Sequence, residues 1–183
     1  ILQFARAVRI PLVALNLESG VSGRVFSDGH TDGLDRSQQA GLPKERDLDL
    51  PGYRERIAAA HTAHPTGSGG FTGFLQAQGL WDETMAESVA RALERFPGHT
   101  VVVLAGNGHT HKASGMPPRV ARRVPGIEQR VVQVAGAEVE RNAADWLVFA
   151  PEVDLDPAPK LGILFEPGQG TAGSAGLTVQ GFS

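Results

Sequence analysis

Residues 84–106 most constrain how this chain can fold. Met85, Val89, Leu93 and Phe96 recur every three or four residues, which puts them on one face of a helix. Pro97-Gly98 stops that helix, and the aliphatic run Val101 to Leu104 follows at once. A helix turned sharply into a wholly apolar strand belongs in an α/β layer, where strands are covered on both faces. Thr84 and Glu87 have the spacing of a capping box, which would start the periodic half of the 71–96 helix.

The rest of residues 1–151 repeats the alternation. Helical patterns are expected over 1–9, 53–64, 71–96 and 117–124. Apolar strands are expected over 10–17, 100–106, 129–136 and 145–151. Residues 27–52 are rich in Gly, Asp and Pro and read as loop with short helical turns, and 65–70 breaks the helix before it. The fold class is α/β, a mainly parallel sheet flanked by helices. After Pro151 the texture changes: 152–160 has linker composition, and 161–183 is glycine-rich with two short β-like pieces, "LGILFE" and "GLTVQGF".

Composition removes several functions. The chain has 183 residues, 41% of them hydrophobic, enough for a core. With no cysteine, disulfides, thiolate zinc sites and cysteine nucleophiles are excluded. A net charge of -3 gives no electrostatic case for nucleic acid. No run reaches the roughly 20 apolar residues of a membrane span. The chain opens in mid-pattern and closes on "GLTVQGFS". The expectation is therefore a fragment, whose signal peptide or lipid anchor would lie upstream.

The site candidate is the segment after the 100–106 strand, because open α/β sheets bind ligands beyond the carboxyl ends of their strands. Gly106 and Gly108 permit close approach of a ligand to backbone, and His109 offers a base, a proton donor or a metal ligand. Arg119, Arg122 and Arg123 follow and can hold carboxylates or phosphates. The plainer alternative is an ordinary strand-to-helix turn with solvated arginines. G-x-G-H is not the dinucleotide fingerprint, since the third glycine is missing. His30 and His99 read as loop and turn residues. His61 and His64 are spaced to share a metal but equally to sit exposed on a helix. Met85 and Met116 fit a core face and a loop. No G-x-S-x-G elbow occurs.

Two linked motifs carry a family resemblance. One is "FLQAQGLWDETMAESVARAL", with Phe74, Ala77, Gln78, Trp81, Asp82, Met85 and Ala86. The other is "VVVLAGNGHTHKASGMPPRVAR", with Gly106, Gly108, His109, Gly115, Pro117 and Arg119. Together with the strand ending at Asn16, they resemble the ChaN-like haem-binding uptake proteins of bacteria over about residues 1–150. That family is similar to a superfamily containing Tiki-type metalloproteases, TraB proteins and erythromycin esterases. The superfamily's N-terminal Glu/His segment has no counterpart here, in line with a truncated start. Residues 161–183 resemble the opening of a PDZ domain.

The resemblance implies a haem-binding protein of iron uptake, probed as a binding protein rather than an enzyme. It would be an exported lipoprotein of the periplasm or outer membrane and a candidate homodimer. Haem needs an iron ligand, a flat slot and cations for its propionates. His109 or Tyr53, the only tyrosine, would be the ligand or its hydrogen-bond partner, unless Tyr53 is simply a helix-start residue packed by its ring. Arg119 or Arg123 would clamp the propionates. The alternative is a hydrolase in which His109 binds a divalent metal. A scaffold acting through its PDZ module is a third reading, and a peptide partner would need the whole PDZ domain.

Overall fold

The computed structural model describes residues 1–63, 69–134, 140, 142–149, 163–167 and 177–182. The chain divides into two compact units, residues 1–150 and 151–183. In the first unit the helices are α1 (Leu2–Ala7), α2 (Ser19–Asp28), α3 (Arg36–Ala40), α4 (Tyr53–Ala63), α5 (Gly70–Arg95) and α6 (Met116–Arg123). Two short strands follow, β1 (Val132–Val134) and β2 (Trp146–Val148), paired in parallel with Val132 opposite Trp146. The second unit contains β3 (Ile163–Pro167) and β4 (Leu177–Phe182), an antiparallel pair. The fold is thus helix-rich with a small parallel sheet. Among the described residues, no helix is long and apolar enough to cross a membrane.

The 26-residue α5 is the axis of the first unit. One side packs on α2 through Val21, Val25, Ala77 and Leu80. Another packs on α6 through Met85, Ala86, Val89, Met116 and Val120. A third receives Tyr53 and Ile57 of α4 against Leu75. The α2 contact requires glycine: a Cβ at Gly69 or Gly73 would sit 1.6 or 1.9 Å from the Phe26 carbonyl oxygen. The expected Met85/Val89 face is therefore core. The capping box is absent, because α5 is already running at Thr84, whose hydroxyl instead donates to the Leu80 carbonyl at 2.8 Å. Pro97 and a left-handed Gly98 (φ 77°) end the helix.

The expected strands at 10–17 and 100–106 have no ladder partner among the described residues. Over 101–105 the side chains alternate between partly buried and exposed, whereas in 10–17 Ile10, Leu12 and Val13 are exposed and only Leu15 and Leu17 are partly buried. Leu15, Val101 and Val103 pack toward α5 and α6, whereas Val102 and Leu104 are 78% and 65% exposed. A continuous apolar run, read as buried on both faces, is here covered on one. α2 went unanticipated, since Ser, Gly and Asp dilute its pattern. Residues 152–160, expected as a linker, lie outside the described residues. Of 161–183 only the β3–β4 pair is described, and a two-stranded pair does not carry a PDZ assignment.

A buried ion cluster fastens α6 to α5. Glu83, fully buried, faces Arg119 Nε at 3.1 Å, Arg122 Nη2 at 2.7 Å and Arg123 Nη2 at 2.7 Å. It also accepts the Asp47 N–H at 3.0 Å. Burial alone would push this carboxyl up, but the Asp47 N–H and the Arg122 and Arg123 guanidiniums outweigh it and hold it below the ordinary glutamate range.

Two outcomes follow. Val89→Asp puts an unpaired charge into the α5–α6 core and should destabilise by several kcal/mol in urea unfolding, on the order of 3 or more. Because the folded Glu83 value lies below the unfolded one, its contribution is complete above the unfolded value and is lost as pH falls through the folded one. Stability should therefore drop below about pH 4, and less steeply in Glu83→Gln, which at neutral pH should already have lost ~3–5 kcal/mol.

Candidate functional site

The loop between residues 106 and 116 is folded by its own backbone and pinned at both ends. His109 N–H and Thr110 N–H both donate to the Gly106 carbonyl, at 2.9 and 3.2 Å. Gly115 N–H returns to His111 O and Met116 N–H to His109 O, each at 2.7 Å. Asn107 ties the loop to β1: its side-chain nitrogen donates to Val134 O, and its carbonyl accepts from Gln133 Nε2, both at 3.0 Å. The glycine this turn requires is Gly115, where a Cβ would lie 2.4 Å from His109 O and 2.7 Å from His111 N. Gly106 and Gly108 need no left-handed backbone. A Cβ there would meet only His109 Cδ2 at 3.9 Å and Arg56 Nη1 at 3.5 Å, so both leave room at the rim.

His109 is held from behind by α5. Its Nδ1 lies 2.6 Å from Asp82 Oδ1, and the Asp82 side chain is 1% exposed against 23% for His109. The second oxygen of Asp82 accepts the Tyr53 hydroxyl at 2.9 Å. With both oxygens engaged, the carboxylate is fixed, and the imidazole carries its proton on Nδ1. Nε2 is left as the nitrogen available to a ligand. The Trp81 ring lies 5.4 Å from the imidazole, centroid to centroid, and forms the apolar side of the rim.

His111 has the opposite arrangement. Its Nδ1 accepts from the backbone N–H groups of Ala113 and Ser114, at 3.3 and 3.2 Å. The proton therefore sits on Nε2, which is buried 3.1 Å from Glu140 Oε1, at ion-pair distance but outside hydrogen-bond alignment. His111 is a structural residue of the loop. His61 packs against Phe71 and Phe74, while His30 and His99 are exposed. His64 lies outside the described residues. Met85 and Met116 are both buried in the α5–α6 core.

The structure brings Gly106, Gly108 and His109 together at one rim and places the other expected residues behind it. Tyr53 is fully buried. Burial first, then the neighbouring Asp82, pushes its phenol well above the ordinary value, so it is a hydroxyl donor, out of reach of an entering iron. Arg119 is also fully buried. It stacks 4.5 Å over the Tyr53 ring and donates to Ser114 O, Gly115 O and Asp47 O, each at 2.7 Å. Arg123 is committed to Glu83. Neither arginine presents its guanidinium to the rim. Among the described residues no group of three or more His, Asp or Glu could hold a metal ion, so the hydrolase reading of His109 gains nothing.

Sequence reasoning missed Asp82 as the partner of His109 and Arg56 as a member of the rim. Asp82 was visible only as a letter of the W-D-x-x-M-A pattern, one residue after Trp81. Arg56 lies 53 positions before His109, and nothing in the sequence links the two.

Comparison with known proteins gives the family and the fold. The family model described as "Haem-binding uptake, Tiki superfamily, ChaN" matches residues 1–120. A solved structure described as cofacial heme binding to ChaN of Campylobacter jejuni resembles the chain with a TM-score of 0.56 and 16% identity, over 79% of this chain and 54% of that one. The chain thus spans about half the length of that structure, and the likeness is one of fold. No curated protein matches the chain.

The two glycine environments give a direct check. Gly115→Ala must displace the 109–111 backbone and should cost ~1–3 kcal/mol. Gly106→Ala meets nothing closer than 3.9 Å and should melt within about 0.5 kcal/mol of the parent.

Proposed function

Since the chain belongs to the haem-binding uptake family of the Tiki superfamily, ChaN, we propose that it binds haem at the rim built from His109, Gly106, Gly108 and Trp81. The observation that carries this reading is the 2.6 Å contact between buried Asp82 and His109 Nδ1. A carboxylate on one ring nitrogen fixes the tautomer, orients the ring and raises the basicity of the other nitrogen, which is how histidines are prepared to ligate metals.

The residues present fit haem. His109 Nε2 would hold the iron, and the Trp81 ring would line one side of the macrocycle. The two glycines would admit a flat face where a side chain at Gly106 would stand beside the imidazole edge and one at Gly108 beside the Arg56 guanidinium. Bound haem supplies an electron-accepting iron and two carboxylates. The chain's own part is to orient one nitrogen through Asp82, to hold Asp82 through the Tyr53 hydroxyl, and to brace the Tyr53 ring from Arg119. The wider role follows the family: uptake of haem or its iron by an exported bacterial lipoprotein of the periplasm or outer membrane, acting as a homodimer. What supports that wider role is the family resemblance.

Hemin titration tests the site. The wild type should give a shifted Soret band on binding, and His109→Ala should abolish the shift or weaken binding by at least about tenfold. Asp82→Asn keeps the shape but loses the anionic acceptor, and should weaken binding roughly 10–100-fold. Titrations unchanged in both variants would place the ligand elsewhere.

A further inference from the structure

Four arginines surround the buried Asp82–Glu83 pair, and three are spent on Glu83: Arg119, Arg122 and Arg123. Arg56, on α4, is different. Its Nε donates to Ser114 Oγ at 3.1 Å and its Nη2 to Ser114 O at 3.4 Å, both neutral acceptors. Its guanidinium lies 5.3 Å from the Tyr53 ring centroid. No carboxylate among the described residues comes within ion-pair distance of it. Its Nη1 end is turned to the backbone of Gly108, the residue before His109, where a Cβ would sit 3.5 Å away.

We propose that Arg56 is the carboxylate clamp of the site, so that the ligand taken by His109 is one that carries free carboxylates. The proposal rests on the haem reading and adds a selectivity to it. A guanidinium held along one edge by Ser114 has lost its rotamer freedom and keeps donors on the other edge in the fork geometry that matches a carboxylate. Half-burial also makes this charge costly: burial first of all lowers the Arg56 value, Asp82, Tyr53 and Glu140 offset it in part, and Arg119 adds to it. An anion docked at Nη1 relieves that cost. The neighbouring imidazole and this cation then recognise two different parts of one molecule, a metal centre and an acid group.

The test compares hemin with hemin dimethyl ester, whose carboxylates are blocked, in wild type, Arg56→Gln and Arg56→Lys, each followed by the Soret band and by thermal melting. The wild type should prefer hemin by about tenfold or more, the worth of a charged hydrogen-bonded contact. Arg56→Gln should lose that preference by weakening hemin alone, leaving ester binding and its His109-dependent band in place. Arg56→Lys, which keeps the charge without the fork, should retain part of it. Equal wild-type affinity for the two porphyrins overturns the clamp while leaving haem binding standing, and so does an undiminished preference in Arg56→Gln. If Arg56→Gln does not fold, an undiminished preference in Arg56→Lys overturns it instead. A wild type that binds neither porphyrin overturns the haem reading and the clamp together.

Discussion

The guanidinium of Arg119 is the contact on which the site's geometry depends. It is fully buried and reaches four parts of the chain at once: Glu83 on α5, Asp47 in the loop before α4, the 114–115 turn and the Tyr53 ring. A buried cation is tolerated only where every N–H finds an acceptor and the charge is matched. Glu83 supplies the charge, and three carbonyls supply the geometry. The consequence is specificity of arrangement more than stability, since a hydrophobic replacement can match a buried ion pair in energy but cannot fix four separate segments.

Asp82 and Glu83 are consecutive, so they leave α5 about 100° apart. One carboxylate points to the tyrosine and the imidazole, the other to the arginine cluster. Both are buried because α4, α6 and the 106–116 loop converge on the same turn of α5. The α5 helix and its Met85/Val89 core face were legible in the sequence, since a 3.6-residue period repeated over several turns has few other readings. α4 was legible as a helix, α6 from prolines allowed in a first turn, and the two short parallel strands from apolar runs. The strands at 10–17 and 100–106 were not, because an unbroken apolar run signals burial without saying on how many sides. Val101 and Val103 face the helices while Val102 and Leu104 do not, and that alternation is invisible when every residue is aliphatic.

The arginines show a different limit. Arg119 and Arg123 were natural anion clamps because they follow the glycine–histidine segment closely. Their roles are decided by Glu83, a residue 36 positions before Arg119, whose burial no local pattern reveals. Nearness in sequence to His109 selected the arginines that are spent on structure. The one beside the rim comes from α4, brought there because Tyr53 packs its ring under Arg119 and turns the next part of the helix toward Ser114.

The two loop histidines show how the backbone decides chemistry for identical side chains. Two residues apart, they meet opposite partners at Nδ1: a carboxylate for His109, backbone N–H groups for His111. An acceptor at Nδ1 draws the proton there and frees the lone pair on Nε2, whereas donors at Nδ1 force the proton onto Nε2. Only the first arrangement yields a ligand, and only the first ring is open to solvent. The difference traces to Gly115, since the turn that places the Ser114 N–H under His111 closes only where no Cβ stands between His109 O and His111 N. Gly115 thereby sets the tautomer of His111, while Asp82, from α5, sets that of His109.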